Sequence, residues 1–159
     1  MKYRIISVGK IREKFYALGV DEYLKRLIPY ASIELIEGLE EKVPPRAGVK
    51  EVEKVLRKEG ERILALVGDK ELLVVWDVQG RLLSSEELAG CLEEWNMSGL
   101  SRVNLVIGGS HGLADAVKNR ADRSLSFSKM TFPHQMAVLI LTEQVYRGFK
   151  ILKGEPYHK

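Results

Sequence analysis

The sequence predicts an α/β fold: a mostly parallel five-stranded sheet with helices on both faces, in a single domain spanning residues 1–159. Three observations predict it. Segments rich in large and β-branched apolar residues alternate along the chain with segments of helical period, the pattern of successive βαβ units with right-handed crossovers. Two runs, Leu72-Leu73-Val74-Val75-Trp76 and Val103-Asn104-Leu105-Val106-Ile107, are too nearly continuous for strands with one wet face and belong in a sheet covered on both sides. At 159 residues, 45% hydrophobic and 30% charged, the chain has the composition of one soluble domain with a substantial core.

Residues 2–8, rich in Ile, Val and Tyr, form the first strand, and a helical pattern over 14–27 runs until Pro29 stops it. Ser32 to Ile36 reads as the second strand. Gly38 to Gly48 is a loop, because Pro44-Pro45 suits neither a helix interior nor a central strand. Val52, Val55, Leu56, Ile63 and Leu66 fall near helical spacing in an amphipathic helix over 49–67, which Gly68-Asp69 ends. The third strand covers 71–78. Ser84 with Glu87 three residues on is a capping box that opens a helix to Met97. After the strand 103–107, Gly108-Gly109-Ser110-His111-Gly112-Leu113 leads into a short helix over 114–119, and a brief strand lies around Leu125. Pro133 stands one residue before a long helix, 134–152, and Gly154 to Lys159 form a tail.

The apolar surface of that last helix, from Met136 through Leu141 to Val145, Tyr146 and Phe149, is too broad for one core-facing stripe. Either the helix is centrally buried or it is half of a homodimer interface; the homodimer is favoured, since a two-fold contact would bury the excess.

Composition narrows the function classes. The single cysteine, Cys91, cannot form an internal disulfide and reads as a helix residue packed on the core, and no Cys/His cluster has metal-ligand spacing, so no metal is expected. The apolar opening turns polar at Gly9-Lys10, too early for a signal peptide or a span; no membrane partner and a cytoplasmic location are expected. A net charge of +3 permits a nucleic-acid partner without demanding one. Its distribution is more telling: from Lys118 onward, Lys118, Arg120, Arg123, Lys129, Arg147, Lys150, Lys153 and Lys159 oppose only Asp122, Glu143 and Glu155.

Chemistry concentrates in the last third. The glycines after Ile107 allow close approach to the backbone where ligands of open α/β sheets bind, although neither a dinucleotide fingerprint nor a P-loop is present. The same Gly108-x-Ser110-x-Gly112 matches a nucleophile elbow, with Asp115, Asp122 and His134 following in the hydrolase order. A serine hydrolase is therefore the rival reading. Only one short strand is left after Ser110 to carry the acid and histidine, and Asp115 lies on the very helix an elbow would start. Ser124 to Gln135 combines small hydroxyl residues with Leu125, Phe127, Met130 and Phe132, a loop able to wrap a ligand with main-chain groups. Glu143-Gln144-x-Tyr146-Arg147 and the terminal Tyr157-His158-Lys159 complete the set.

Taken together, Ile107-Gly108-Gly109-Ser110-His111-Gly112-Leu113, Leu125 through Gln135, Glu143 through Arg147 and Tyr157-His158-Lys159 resemble the RlmH group of SPOUT methyltransferases. The length and the opening motifs Val8-Gly9-Lys10 and Glu22-Tyr23 extend the resemblance over the whole chain. It implies methylation of N3 of a pseudouridine in large-subunit ribosomal RNA from S-adenosylmethionine, by a homodimer acting on ribosomal RNA or the ribosome. It also implies a deep C-terminal trefoil knot, which rests on resemblance alone because general topology rules disfavour knots. The implied cofactor contacts are Trp76, Gly108, Gly109, Phe127, Ser128, Lys129, Met130, Thr131 and Phe132. His134, Arg147, Tyr157 and His158 are the candidates for stabilising or deprotonating the target base and for holding the nucleotide. Two positions depart from the family pattern: Trp76 where an aliphatic residue is common, and Val138 where arginine is usual. A non-catalytic ribosome-binding module is the third alternative.

Overall fold

Ten elements alternate along the chain in a computed structural model that describes residues 1–159. They are β1 (Lys2–Ser7), α1 (Lys14–Leu27), β2 (Ser32–Ile36), α2 (Val49–Leu66), β3 (Glu71–Leu82), α3 (Ser85–Met97), β4 (Arg102–Ile107), α4 (Asp115–Arg120), β5 (Arg123–Ser126) and α5 (His134–Leu152). The strands form one sheet in the order β2-β1-β4-β3-β5, and each pairing is parallel. The predicted five-stranded α/β architecture is therefore the observed one.

Period-two alternation divides the two cores. Tyr3, Ile5, Val74, Trp76, Val103, Leu105 and Ile107 face one side, against α1, α3 and α5. Ile6, Leu73, Val75 and Val106 face the other, against Ile63 of α2 and Val117 of α4. α3 begins as its sequence predicts: Glu87 N–H donates to Ser84 Oγ at 3.1 Å while Ser84 N–H donates to Glu87 Oε2 at 2.7 Å. Cys91 is half-buried on this helix, packed against the core.

One boundary differs from expectation in a way that shapes the site. β3 continues to Leu82 rather than stopping at residue 78, because after a register shift between Trp76 and Arg81 the ladder resumes with Arg81 opposite Leu125 and Leu82 opposite Ser126. These added residues are largely exposed and lack an apolar signature, so periodicity does not reveal them. Gly80 makes the irregularity possible, since a Cβ there would lie 2.5 Å from the carbonyl of Leu125. α5 has the expected bounds and is clasped between α1 and α3. Gly19 and Gly148 let the helices approach: a Cβ would sit 2.8 Å from Leu139 at the first and 2.6 Å from Leu92 at the second. Central burial thus absorbs Val138, Leu141, Val145 and Phe149 within one protomer, leaving Met136, Ala137, Leu139 and Ile140 half-buried. Val138 is 0% exposed, so its methyl groups belong to the core. No helix is long and apolar enough to cross a membrane.

Candidate functional site

An apolar crevice opens at the carboxyl end of β4, beside the middle of β3 where its register shifts. α3, which follows β3, packs in one helical layer and α4, which follows β4, in the other, so the chain leaves the two neighbouring strands in opposite directions. Between them lies a largely apolar cavity of about 360 Å³, walled by Trp76, Ile107, Phe127, Met130, Phe132 and Ala137 with Asp77, Ser126 and Ser128 as polar members. Burial works against ionisation of Asp77, but the Lys118 ammonium at 2.7 Å and the Gln79 N–H hold its carboxyl below the usual range.

The segment after β5 is shaped by serine hydroxyls. Ser126 Oγ donates to the Ser128 carbonyl at 2.8 Å, and Ser128 Oγ accepts from Met130 N–H at 3.0 Å. Outside the helices and strands, no backbone-to-backbone hydrogen bond involves residues 127–132. Phe127 lies flat on Trp76, with ring centroids 4.2 Å apart and planes inclined by 14°. This stack also borders a second cavity of about 630 Å³, whose far wall includes Ser85, Leu88, Ile140 and Gln144.

The glycine loop has its own geometry. Gly109 and Gly112 form an isolated antiparallel bridge, and Gly112 takes φ +81°. A Cβ on Gly108 would lie 2.8 Å from the Gly112 carbonyl oxygen, so glycine at 108 is demanded by closure of the loop itself. Ile107 lines the apolar cavity, whereas Gly108 does not; Gly109 lines a third, polar cavity of about 670 Å³ together with Lys10, Arg12, Glu40, Glu59, Ser110 and His134. His134 sits over Gly9, where a Cβ would meet the imidazole at 2.4 Å, and its Nε2 is 3.2 Å from the Lys10 carbonyl.

The structure thus gathers Trp76, Phe127, Ser128, Met130 and Phe132 around one cavity, leaves Lys129 and Thr131 outside its lining, and separates His134 from the other three catalytic candidates. Those three cluster about Glu143. Its Oε1 accepts from Arg147 Nη2 at 2.6 Å, Arg147 Nε at 3.1 Å and Tyr157 Oη at 3.0 Å. Arg147 lies 4.7 Å from the Tyr157 ring centroid and donates from Nη1 to His158 Nδ1 at 3.3 Å. Since a carboxylate only accepts, His158 Nε2 is the protonated nitrogen facing Glu86 at 2.8 Å. Burial first, then the hydrogen bonds with Tyr23 and Glu143, push the Tyr157 phenol well above its usual range, so it remains a donor.

A hydrolase triad is not assembled. Ser110 Oγ bonds His111 Nδ1 at 3.1 Å on the exposed loop, Asp122 receives Leu73 N–H at 2.8 Å and Arg120 at 3.2 Å, and His134 is turned to Lys10. No carboxylate orients either histidine toward the serine, which removes the geometric basis of the elbow reading.

Glu59 was not singled out by sequence. It is 6% exposed on α2, lines the polar cavity and is pushed upward chiefly by burial. Its signal is a carboxylate four residues after Val55 and four before Ile63, on the apolar stripe itself.

The family described as Predicted SPOUT methyltransferase matches residues 1–158. Proteins named ribosomal RNA large subunit methyltransferase H are similar over the full length of both chains. The one from Syntrophomonas wolfei subsp. wolfei is 63% identical, that from Carboxydothermus hydrogenoformans 50% and that from Enterococcus faecalis 47%.

Proposed function

The chain belongs to the SPOUT methyltransferase family, in its RlmH group, and from that premise we propose that it methylates N3 of a pseudouridine in large-subunit ribosomal RNA with S-adenosylmethionine as donor. The observation that carries the cofactor reading is the meeting of Trp76, Ile107 beside the glycine loop, and the Phe127 to Phe132 segment on one crevice at the carboxyl ends of parallel strands. Apolar walls suit a purine, and backbone groups along 127–132 that no neighbouring backbone engages suit its polar edge. The residues present therefore fit an adenosyl ligand.

When bound, S-adenosylmethionine supplies an already activated methyl group on a sulfonium, so the protein's work is largely positioning. The ring nitrogen must also lose its proton. Arg147, held by Glu143 and stacked on Tyr157, presents fixed positive charge that favours a deprotonated base; His158, with Nδ1 accepting from Arg147 and Nε2–H facing Glu86, holds that arginine in place, and His134, with only Nε2 engaged at the Lys10 carbonyl, is the imidazole able to take the proton. Tyr157, kept protonated, anchors the tail. We extend three family properties to the chain on the same premise: the trefoil knot, the homodimer and a cytoplasmic, ribosomal setting. The close passage of Gly80 against the Leu125 backbone fits the first, and the half-buried Met136 fits the second.

The test is methyl transfer from tritiated S-adenosylmethionine to ribosomes lacking the modification, beside free ribosomal RNA. Label recovered in N3-methylpseudouridine is expected. RNA that binds the protein yet stays unlabelled would instead favour the non-catalytic module.

A further inference from the structure

Trp76 and Phe127 are unequal partners. Trp76 is fixed in the sheet, opposite Ile107 of β4 and Leu125 of β5, at the last position before the β3 irregularity. It is only 8% exposed. Phe127 is the first residue beyond β5, half-buried, in the segment shaped by serine hydroxyls. The stacked rings and Ser126 are common to the lining of the apolar cavity and of the larger one beside it, so the stack is the partition between the two. Trp76 carries a second peculiarity. Its Nε1 is buried with no hydrogen-bond partner, the one orphaned buried side-chain donor in the molecule. That N–H lies in the indole plane, out of reach of anything stacked on the ring, whereas the ring face itself suits a purine.

We propose that Trp76 and Phe127 form a cofactor-operated aromatic gate: the adenine of the bound cofactor takes the face of Trp76 that Phe127 covers, displacing Phe127 and merging the two cavities into one binding site. The inference rests on the S-adenosylmethionine reading above and specifies which side chain moves and which receives the base. Exchange of rings preserves the stacking on Trp76, because a purine offers the same broad π-face that Phe127 now supplies. Phe127 can leave because its displacement breaks no sheet hydrogen bond, while Trp76 cannot, being anchored on both sides.

The experiment uses the full-length protein with S-adenosylhomocysteine, following tryptophan emission and, separately, equilibrium dialysis of the labelled ligand. The other tryptophan, Trp95, is 2% exposed on α3 and lines neither cavity, so it supplies a constant background. Saturable quenching that tracks occupancy is expected in the wild type. Trp76→Leu should abolish the quenching and weaken binding about three- to tenfold, the range of an aromatic stacking contact, while Trp76→Phe, which keeps a stacking face, should lose less. Phe127→Leu, which removes the covering ring, should bind as tightly as wild type or more tightly. Occupancy by dialysis without any change in emission overturns the gate, and so does Phe127→Leu weakening binding as much as Trp76→Leu. Absence of binding by dialysis in the wild type overturns the gate together with the cofactor reading beneath it.

Discussion

Replacing Glu143 by alanine tests whether the chain terminus is held by chemistry specific to α5. The change deletes the acceptor shared by Arg147 Nε, Arg147 Nη2 and Tyr157 Oη, leaving Arg147 its hydrogen bond to His158 Nδ1 and its place over the Tyr157 ring. The Tyr157 hydrogen bond contributes about 1 kcal/mol. The ion pair is neither free in water nor dry, with side chains 25% and 18% exposed. Exposed helical pairs of this spacing contribute roughly 0.3–0.5 kcal/mol and breaking a buried pair costs roughly 3–5 kcal/mol, so an intermediate value of about 1–2 kcal/mol applies. The total is about 2–3 kcal/mol, equivalent to a melting temperature lower by roughly 4–12 °C for a chain of this size. Urea unfolding at fixed protein concentration measures it. Limited carboxypeptidase digestion supplies a local readout, because an undocked Tyr157-His158-Lys159 should be trimmed before the chain unfolds. Glu143→Ala within 0.5 kcal/mol of wild type, with the tail equally protected, would refute the latch. A double-mutant cycle with Arg147→Ala should show coupling of at least about 0.5 kcal/mol, as residues sharing one network do.

Four further outcomes follow from named contacts. Gly80→Ala places a methyl 2.5–2.7 Å from Leu125 backbone atoms that cannot swing aside, and thermal unfolding should show a loss of about 1–3 kcal/mol; an unchanged melting temperature would contradict the packing at the β3 irregularity. Glu59, raised in the folded state mainly by burial, contributes most below the ordinary carboxylate range and loses that stability as pH rises through its elevated folded value. Glu59→Gln should therefore gain on wild type at pH 8 relative to pH 4 in chemical denaturation, and an equal difference at both pH values would count against a buried carboxyl. Ser110→Ala should retain methyl transfer, since the serine bonds only an exposed neighbouring histidine; abolished transfer with normal folding would restore a catalytic serine. The logarithm of the affinity for ribosomal RNA should fall linearly with the logarithm of salt concentration in filter-binding titrations, and a flat response would show that the basic C-terminal quarter does not meet phosphates.

Much of this protein is legible in its sequence. Hydrophobic period alone is a local property, and it located β1, β2, β4, α1, α3 and α5, with Pro29, Ser84 and Pro133 marking boundaries that backbone sterics and capping impose. It located the start of β3 but not its extension, because Gln79 to Leu82 gain their pairing from a strand more than forty residues away and carry no buried face of their own. The four motifs that carry the family resemblance were equally visible as strings.

How those strings are arranged in space was decided only by tertiary structure, since cavities arise where strands of distant sequence end side by side. The sheet order places Trp76 beside Phe127, closes the glycine loop on itself rather than around the apolar crevice, and sends His134 to the polar cavity while Arg147, Tyr157 and His158 assemble on Glu143. The breadth of the α5 apolar surface was plain from sequence; that α1 and α3 cover so much of it depends on Gly19 and Gly148, whose missing side chains mean nothing until the helices meet. Composition, period and motif are written along the chain, whereas proximity is a property of the packed sheet.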